Sequence, residues 1–225
     1  MNFLFCQDKN IVIRQNRRSK HLRLRIDIKG RIILSLPLGC SKRQAQTFLD
    51  AHQDWITTQL AHRPQTPKWQ NGSIICILGQ SLTICHNPTL RGGVFIQGDT
   101  LFVSGEASFL TRRISDFIKR QTADYIETKA RSLASQIDVT FHQIHLKDTT
   151  SRWGSCSGKG NLNFCWRLGM APLFVLDYII AHEIAHLREM NHSDRFWHLV
   201  SRLTDRRADA EIWLRRHGHE LSIHS

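Results

Sequence analysis

No apolar run in these 225 residues approaches the roughly 18 that a membrane-spanning helix requires, so no transmembrane segment is expected. The opening stretch, MNFLFCQDKN, lacks a basic n-region and a small-residue cleavage site, so it does not read as a secretory leader. The six cysteines (Cys6, Cys40, Cys76, Cys85, Cys156 and Cys165) form no C-x-x-C pair and scatter through hydrophobic segments. That pattern reads as free thiols in a reducing compartment, and a cytoplasmic protein is expected. Internal repeats and low-complexity tracts are missing as well. Acid is scarce: 19 Asp and Glu stand against 31 Lys and Arg, a formal net charge of +12. Such an excess suits nucleic acid, an anionic membrane surface or acidic substrates, and equally a solvated face with no partner.

What is present is ordinary globular composition, 41% hydrophobic and 22% charged, in a length that makes one large domain or two small ones. Residues 10–36 alternate with period two, which predicts half-buried strands, with Lys29-Gly30 as a hairpin turn. Arg14, Arg17, Arg18, Lys20, Arg23 and Arg25 decorate the exposed side of that hairpin. They are either a phosphate-binding face or simply a solvated one. Ser41 reads as the N-cap of a helix reaching Leu60, with Trp55 placed in the core. Residues 63–72, with Pro64 and Pro67, read as a connector. Strands are predicted over 73–78, 81–86, 94–97 and 100–104, then a helical region over 106–136 and a strand over 141–146. The Gly-punctuated stretch 149–172 predicts a β-ribbon, with Leu162, Phe164, Trp166 and Leu168 alternating along its last strand.

The stretch from Tyr178 to Trp197 contains His182, Glu183 and His186 as H-E-x-x-H, with His192 six residues further on. Residues four apart share one face of a helix, so the two imidazoles can reach one ion together. Glu183 can then reach a water on that ion as general base, the arrangement of zinc hydrolases. A catalytic zinc keeps three protein ligands and an open position, and His192 is the candidate third. With 13 His and six Glu in the chain, chance supplies this motif only about 0.02 times. The flanking Val175, Leu176, Ile179, Ile180, Ile184 and Leu187 bury the helix, and buried histidines beside a buried glutamate require partners. The helix is expected to run from Leu173 to about Met190-Asn191, with Ser193 capping the next. A last helix, Asp205 to His217, is expected to stop at Gly218. Arg152 and Asn163 in the ribbon are candidate oxyanion or substrate contacts, with Trp153 beside them. Cys156 is a further candidate ligand, although the histidines suffice without it.

Several runs together resemble the YgjP-like metal-dependent hydrolases, which are grouped with the zincin metallopeptidases. They are R-W-G-S-C at Arg152 to Cys156, W-R-L…A-P at Trp166 to Pro172, D-Y-I-I-A-H-E-I-A-H-L at Asp177 to Leu187, N-H-S at Asn191 to Ser193, and W-L-R-R-H-G at Trp213 to Gly218. The resemblance implies an α+β fold: a zincin-like core, made of the H-E-x-x-H helix and a neighbouring β-ribbon, preceded by a β-rich N-terminal part. The expected division is 1–105 and 106–225, or one continuous domain of about 10–220. It also implies His182, His186 and His192 as zinc ligands and Glu183 as catalytic base. Metzincin proteases share the offset to the third histidine but carry glycine where this chain has Glu189, so the turn must form differently here. The expected activity is zinc-dependent hydrolysis of peptide bonds in a peptide or protein substrate. Some relatives are discussed as nucleoside triphosphate pyrophosphatases, and SprT-like and Wss-like proteases act near DNA. A nucleotide substrate, or a nucleic-acid partner on the basic hairpin, therefore stands as an alternative, and no membrane partner is expected.

Overall fold

The computed structural model describes residues 11–26, 30–61 and 69–221. They fall into two compact units, one up to residue 66 and one from residue 67. The sheet of residues 74–104, which falls in the expected 1–105 part, belongs by its contacts to the second unit. Lys29, Pro64, Pro67 and the opening stretch with Cys6 lie outside the described residues.

In the first unit the alternating residues form three strands, β1 (Ile11–Gln15), β2 (Arg23–Ile26) and β3 (Ile32–Leu36), in the order β1-β3-β2. β2 and β3 run antiparallel, and β1 pairs with β3 in parallel. Gly30 has φ +75°, a conformation that favours glycine and suits the tight return to β3. Ser41 caps α1 (Lys42–Ala51) through a capping box, its hydroxyl accepting from the Gln44 N–H while the Gln44 side chain accepts from the Ser41 N–H. Leu34 and Leu36 pack on Ala45 and Leu49 to form the core of this unit. The helix predicted to reach Leu60 breaks at His52, whose backbone closes α1 and whose Nδ1 lies 2.7 Å from the Phe48 carbonyl oxygen. The chain resumes as α2 (Gln53–Ala61). That break takes Trp55 out of the expected core: it is 41% exposed, and Ile56 packs against the cluster instead.

The second unit opens with β4 (Ile74–Ile77), β5 (Gln80–Asn87), β6 (Val94–Gln97) and β7 (Thr100–Ser104), in the order β4-β5-β7-β6. Glycines at 79, 92, 93 and 98, all at positive φ, make the predicted turns. The 27-residue α3 (Leu110–Gln136) buries the expected stripe through Leu110, Ile114, Phe117, Ile118, Ile126, Ala130 and Leu133. A second sheet follows, β8 (Gln143–Lys147), β9 (Gly154–Cys156) and β10 (Asn161–Cys165), in the order β8-β10-β9, so β9 is an edge strand. The strand expected to continue through Trp166 and Leu168 becomes a 3-10 turn, Trp166–Met170. All five of its residues are buried, which a strand exposing alternate residues would not allow. Pro172 then precedes α4 (Leu173–Ala185), apolar nearly all round and so the buried centre of the unit. α5 (Asp194–Leu203) and α6 (Arg207–Leu221) pack beside it. Asp177 ties α4 to α3, accepting from Tyr125 Oη at 2.6 Å and from Lys129 Nζ at 3.1 Å.

α6 runs through Gly218 rather than stopping there. A Cβ on Gly218 would lie 3.1 Å from the Trp153 ring, so this glycine serves close packing rather than termination. The described cysteines, Cys40, Cys76, Cys85, Cys156 and Cys165, are all free thiols. Among the described residues no helix is long and apolar enough to cross a membrane.

Candidate metal centre

α4 ends earlier than Asn191. Ala185 is its last residue and His186 its C-cap, and the next turn tightens through bonds from Leu187 N–H to the Ile184 carbonyl and from Arg188 N–H to the Ala185 carbonyl. Asn191 is not in the left-handed region; the non-glycine residues found there are Leu78 and Asp138. The early stop lets the chain fold back over 187–193 into α5, whose N-cap is Ser193 as expected.

That return brings His192 to the face of α4. Its Nε2 lies 3.1 Å from His182 Nε2, and His186 Nε2 lies 3.2 Å from the same atom. The ligand nitrogens of the three residues all fall within 4.8 Å of one another. Nitrogens bound at about 2.0–2.1 Å to one tetrahedral ion sit about 3.3 Å apart. The observed spacing therefore fits a shared ion. His186 Nδ1 lies 3.1 Å from the Glu189 carbonyl oxygen, which places a proton on Nδ1 and turns the Nε2 lone pair inward. The Nδ1 of His182 is buried and has no hydrogen-bond partner.

Burial and the neighbouring His186 and His192 push the pKa of His182 down to about 4. Burial lowers His186 as well, against the pull of the Glu189 carbonyl. Both rings are thus held in the neutral form that ligates metal. Phe196 backs the group: its ring centroid lies 4.9, 4.4 and 4.7 Å from those of His182, His186 and His192.

Glu183 lines a cavity together with His182 and lies against Gly154 of β9. Burial drives its pKa up to about 8, and the Arg152 charge opposes the rise. A Cβ on Gly154 would lie 2.4 Å from Glu183 Oε1, so only glycine leaves room for this carboxylate. The sequence showed Gly154 as a turn residue in R-W-G-S-C; its role as a seat for Glu183 depends on a contact across 29 positions and could not be read there.

A cavity of about 420 Å³ opens beside His182 and Glu183, walled by Trp153, Tyr178, Glu211 and Arg215. A second, of about 490 Å³, lies toward the His186 end and is bounded by His142, Ser157, Lys159 and Met190. Of the ribbon candidates, Trp153 lines the first cavity. Arg152 is exposed and does not line it, although its charge reaches Glu183. Asn163 donates its amide N–H to Ser155 Oγ at 3.2 Å. Cys156 stands outside the histidine cluster, and burial followed by the Glu183 charge pushes its thiol up to about 11.

Two groups escaped sequence reasoning altogether. Glu211 on α6 accepts from Tyr178 Oη and from Arg207 Nε, both at 2.9 Å, while Arg207 stacks 3.4 Å over the Trp197 ring. Burial pushes the Glu211 carboxyl up, but those two donors hold it below its ordinary value, so it is an anion facing the cavity. Arg167, wholly buried, pairs with Asp148 and donates to the Thr149 carbonyl at 2.9 Å, pinning the loop that carries Trp153. Only contacts between helix and cavity, or between turn and loop, reveal either.

No curated protein and no solved structure matches the chain. A family model described as the YgjP-like metallopeptidase domain matches residues 20–217, a span that includes the histidine cluster, Glu183 and the Gly154 strand, and the chain belongs to that family.

Proposed function

We propose that the protein is a zinc-dependent peptidase in which His182, His186 and His192 hold the metal and Glu183 is the general base. Membership of a metallopeptidase family supports a metal-dependent peptidase in general. The choice of zinc, the residue roles and the internal peptide bond as target are the finer reading. The observation that carries it is the convergence of three imidazole nitrogens next to a buried carboxylate. Neutral nitrogen donors in a set of three suit zinc with one position left for substrate or water.

When bound, zinc supplies Lewis acidity to a carbonyl and lowers the pKa of a water toward about 7. Glu183 takes a proton from the attacking water as its oxygen bonds to the scissile carbonyl carbon. As the C–N bond breaks, the same carboxyl delivers that proton to the leaving amine nitrogen. A base must be ionised to act, and a dication beside Glu183 would draw its pKa down from about 8. Gly154 keeps the carboxylate in reach, and Trp153 offers an apolar wall to a substrate side chain. β9 is an edge strand and begins at Gly154, beside the base, so an extended peptide could add to the sheet there through main-chain hydrogen bonds. This edge favours a peptide over a nucleotide.

Turnover of zinc-loaded protein on unfolded casein and on nucleoside triphosphates tests both substrate classes. The proposal expects casein cleavage that Glu183→Gln reduces by about 10³-fold or more with zinc retained. Full activity in that variant would refute the role of Glu183. Pyrophosphate release from nucleotides without peptide cleavage would move the substrate to the alternative class.

A further inference from the structure

We infer that the first unit carries a binding site for the phosphate backbone of double-stranded nucleic acid, separate from the metal centre. The register of its sheet sets the site. Ser35 on β3 pairs with Arg14 on one side and Arg23 on the other, so both arginines flank it on one face. Arg25, two residues after Arg23, lies on that same face about 7 Å further along. The opposite face carries Leu34 and Leu36 into the core; on this one Ile33, paired with Val12 and Arg25, is buried, and the arginines stand around Ser35 beyond it.

The loop after β1 extends the row. Asn16 N–H donates to the Leu36 carbonyl at 2.9 Å, and the Asn16 side chain accepts from Arg18 N–H at 3.0 Å. Ser19 Oγ donates to the His21 carbonyl at 2.7 Å, so the loop is braced by its own hydrogen bonds. Together these elements line a cavity of about 890 Å³ to which Arg14, Arg18, Lys20, Arg23 and Arg25 contribute. Among the described residues no Asp or Glu lines it and none of the five forms an ion pair.

Five unpaired cations around one concave face form an electrostatic trap for a dense row of anions. Duplex nucleic acid presents one charge per roughly 1.7 Å of axis. The lining contains no Phe, Tyr or Trp, and His21 is the one ring in it, so it lacks the succession of aromatic faces on which single strands stack. It also lacks a glycine to bring backbone N–H groups against a free triphosphate. Chemistry that reads phosphate without bases therefore favours a duplex bound without sequence preference.

The test is fluorescence anisotropy of the full chain with a labelled mixed-sequence 20-base-pair DNA duplex across 50–200 mM salt. Five neutralised phosphates predict a log–log slope of about −4.5, or about 500-fold weaker binding at the higher salt. Arg14→Gln/Arg23→Gln/Arg25→Gln should flatten the slope to about −1.8, a loss of only about 12-fold over the same range. The charge-preserving Arg→Lys triple should keep most of the slope. Arg120→Gln/Arg202→Gln/Arg216→Gln, exposed sites in the second unit, should leave it unchanged. The inference is overturned by absent binding, by equal slope loss in the two Gln triples, or by loss in the Lys triple. Tighter binding of a single strand of the same length, or displacement of the duplex by inorganic triphosphate at lower phosphate concentration, also overturns it.

Discussion

The two units handle charge in opposite ways. In the first, the arginines of β1, β2 and the intervening loop are exposed and, among the described residues, form no ion pair. In the second, ionisable groups are drawn inward until burial sets their protonation: His182 falls to about 4 and Glu183 rises to about 8. Exposed cations keep full charge and act at range, with strength that salt controls. Buried groups trade charge for chemistry, because a neutral imidazole ligates and a desolvated carboxylate takes protons. Under the two proposals above, charge density would serve attachment in one unit and its suppression would serve reaction in the other.

The sharpest way to break the comparison is to disturb burial at the base without touching a titratable group. Gly154→Ala should displace Glu183 and cut peptide turnover by about 10²-fold, because a misplacement of about 1 Å costs that much. Zinc content should stay the same, since the three atoms nearest the added Cβ all belong to Glu183 and none to a histidine. Normal turnover would show that Glu183 does not act from its seat against β9.

Arg167→Met comes next. It removes a wholly buried cation that holds Asp148 and the Thr149 carbonyl. A loss of about 2–4 kcal/mol is expected. Calorimetry should record it as a Tm lower by about 5–10 °C. An unchanged Tm would mean that the loop before Trp153 is held by other contacts.

A smaller effect distinguishes the buried pair by pH in metal-free protein. His182 sits below its ordinary 6.5, so the unfolded chain binds more protons between about 6.5 and 4, and stability is lost as pH falls through that window. Glu183 sits above its ordinary 4.5, so the folded chain binds more protons between 4.5 and about 8, and stability is lost as pH rises through it. The Tm of chelator-treated protein should therefore peak between the two limbs, and Glu183→Gln should remove the alkaline one alone. A Tm profile identical in the two proteins would contradict the assignment.

The smallest effect belongs to the first unit. Arg25→Gln alone should leave peptide turnover within twofold and flatten the salt dependence of duplex binding by about 0.9. A large loss of peptidase activity would mean that the basic face serves the reaction as well.

Much of the second unit was legible in the sequence because its signals are local. Histidines four apart, Glu183 between them and the apolar residues around them predict the buried helix and its ion-facing side without reference to the rest of the chain. Ser41 and Ser193 announced caps for a similar reason, with side-chain bonds made within one turn only at Ser41. What the sequence hid depends on distant contacts. Gly218 carries the local signature of a helix stop, yet the Trp153 ring against it explains why it is glycine. Trp55 fits the helical period of a core residue, but one break at His52 rotates it to the surface. The 3-10 turn at Trp166–Met170 buries side chains that alternation would have exposed. Glu211 had no motif to mark it, because its role comes from where α6 lies against α4.

The central claim is that His192 completes a three-histidine site while Glu183 stays outside it. Zinc titration of the metal-free full chain, followed by elemental analysis, tests it directly. One zinc per chain is expected in the wild type and in Glu183→Gln, with affinity about 100-fold weaker or worse in His192→Ala. Unchanged zinc affinity in His192→Ala would contradict the account.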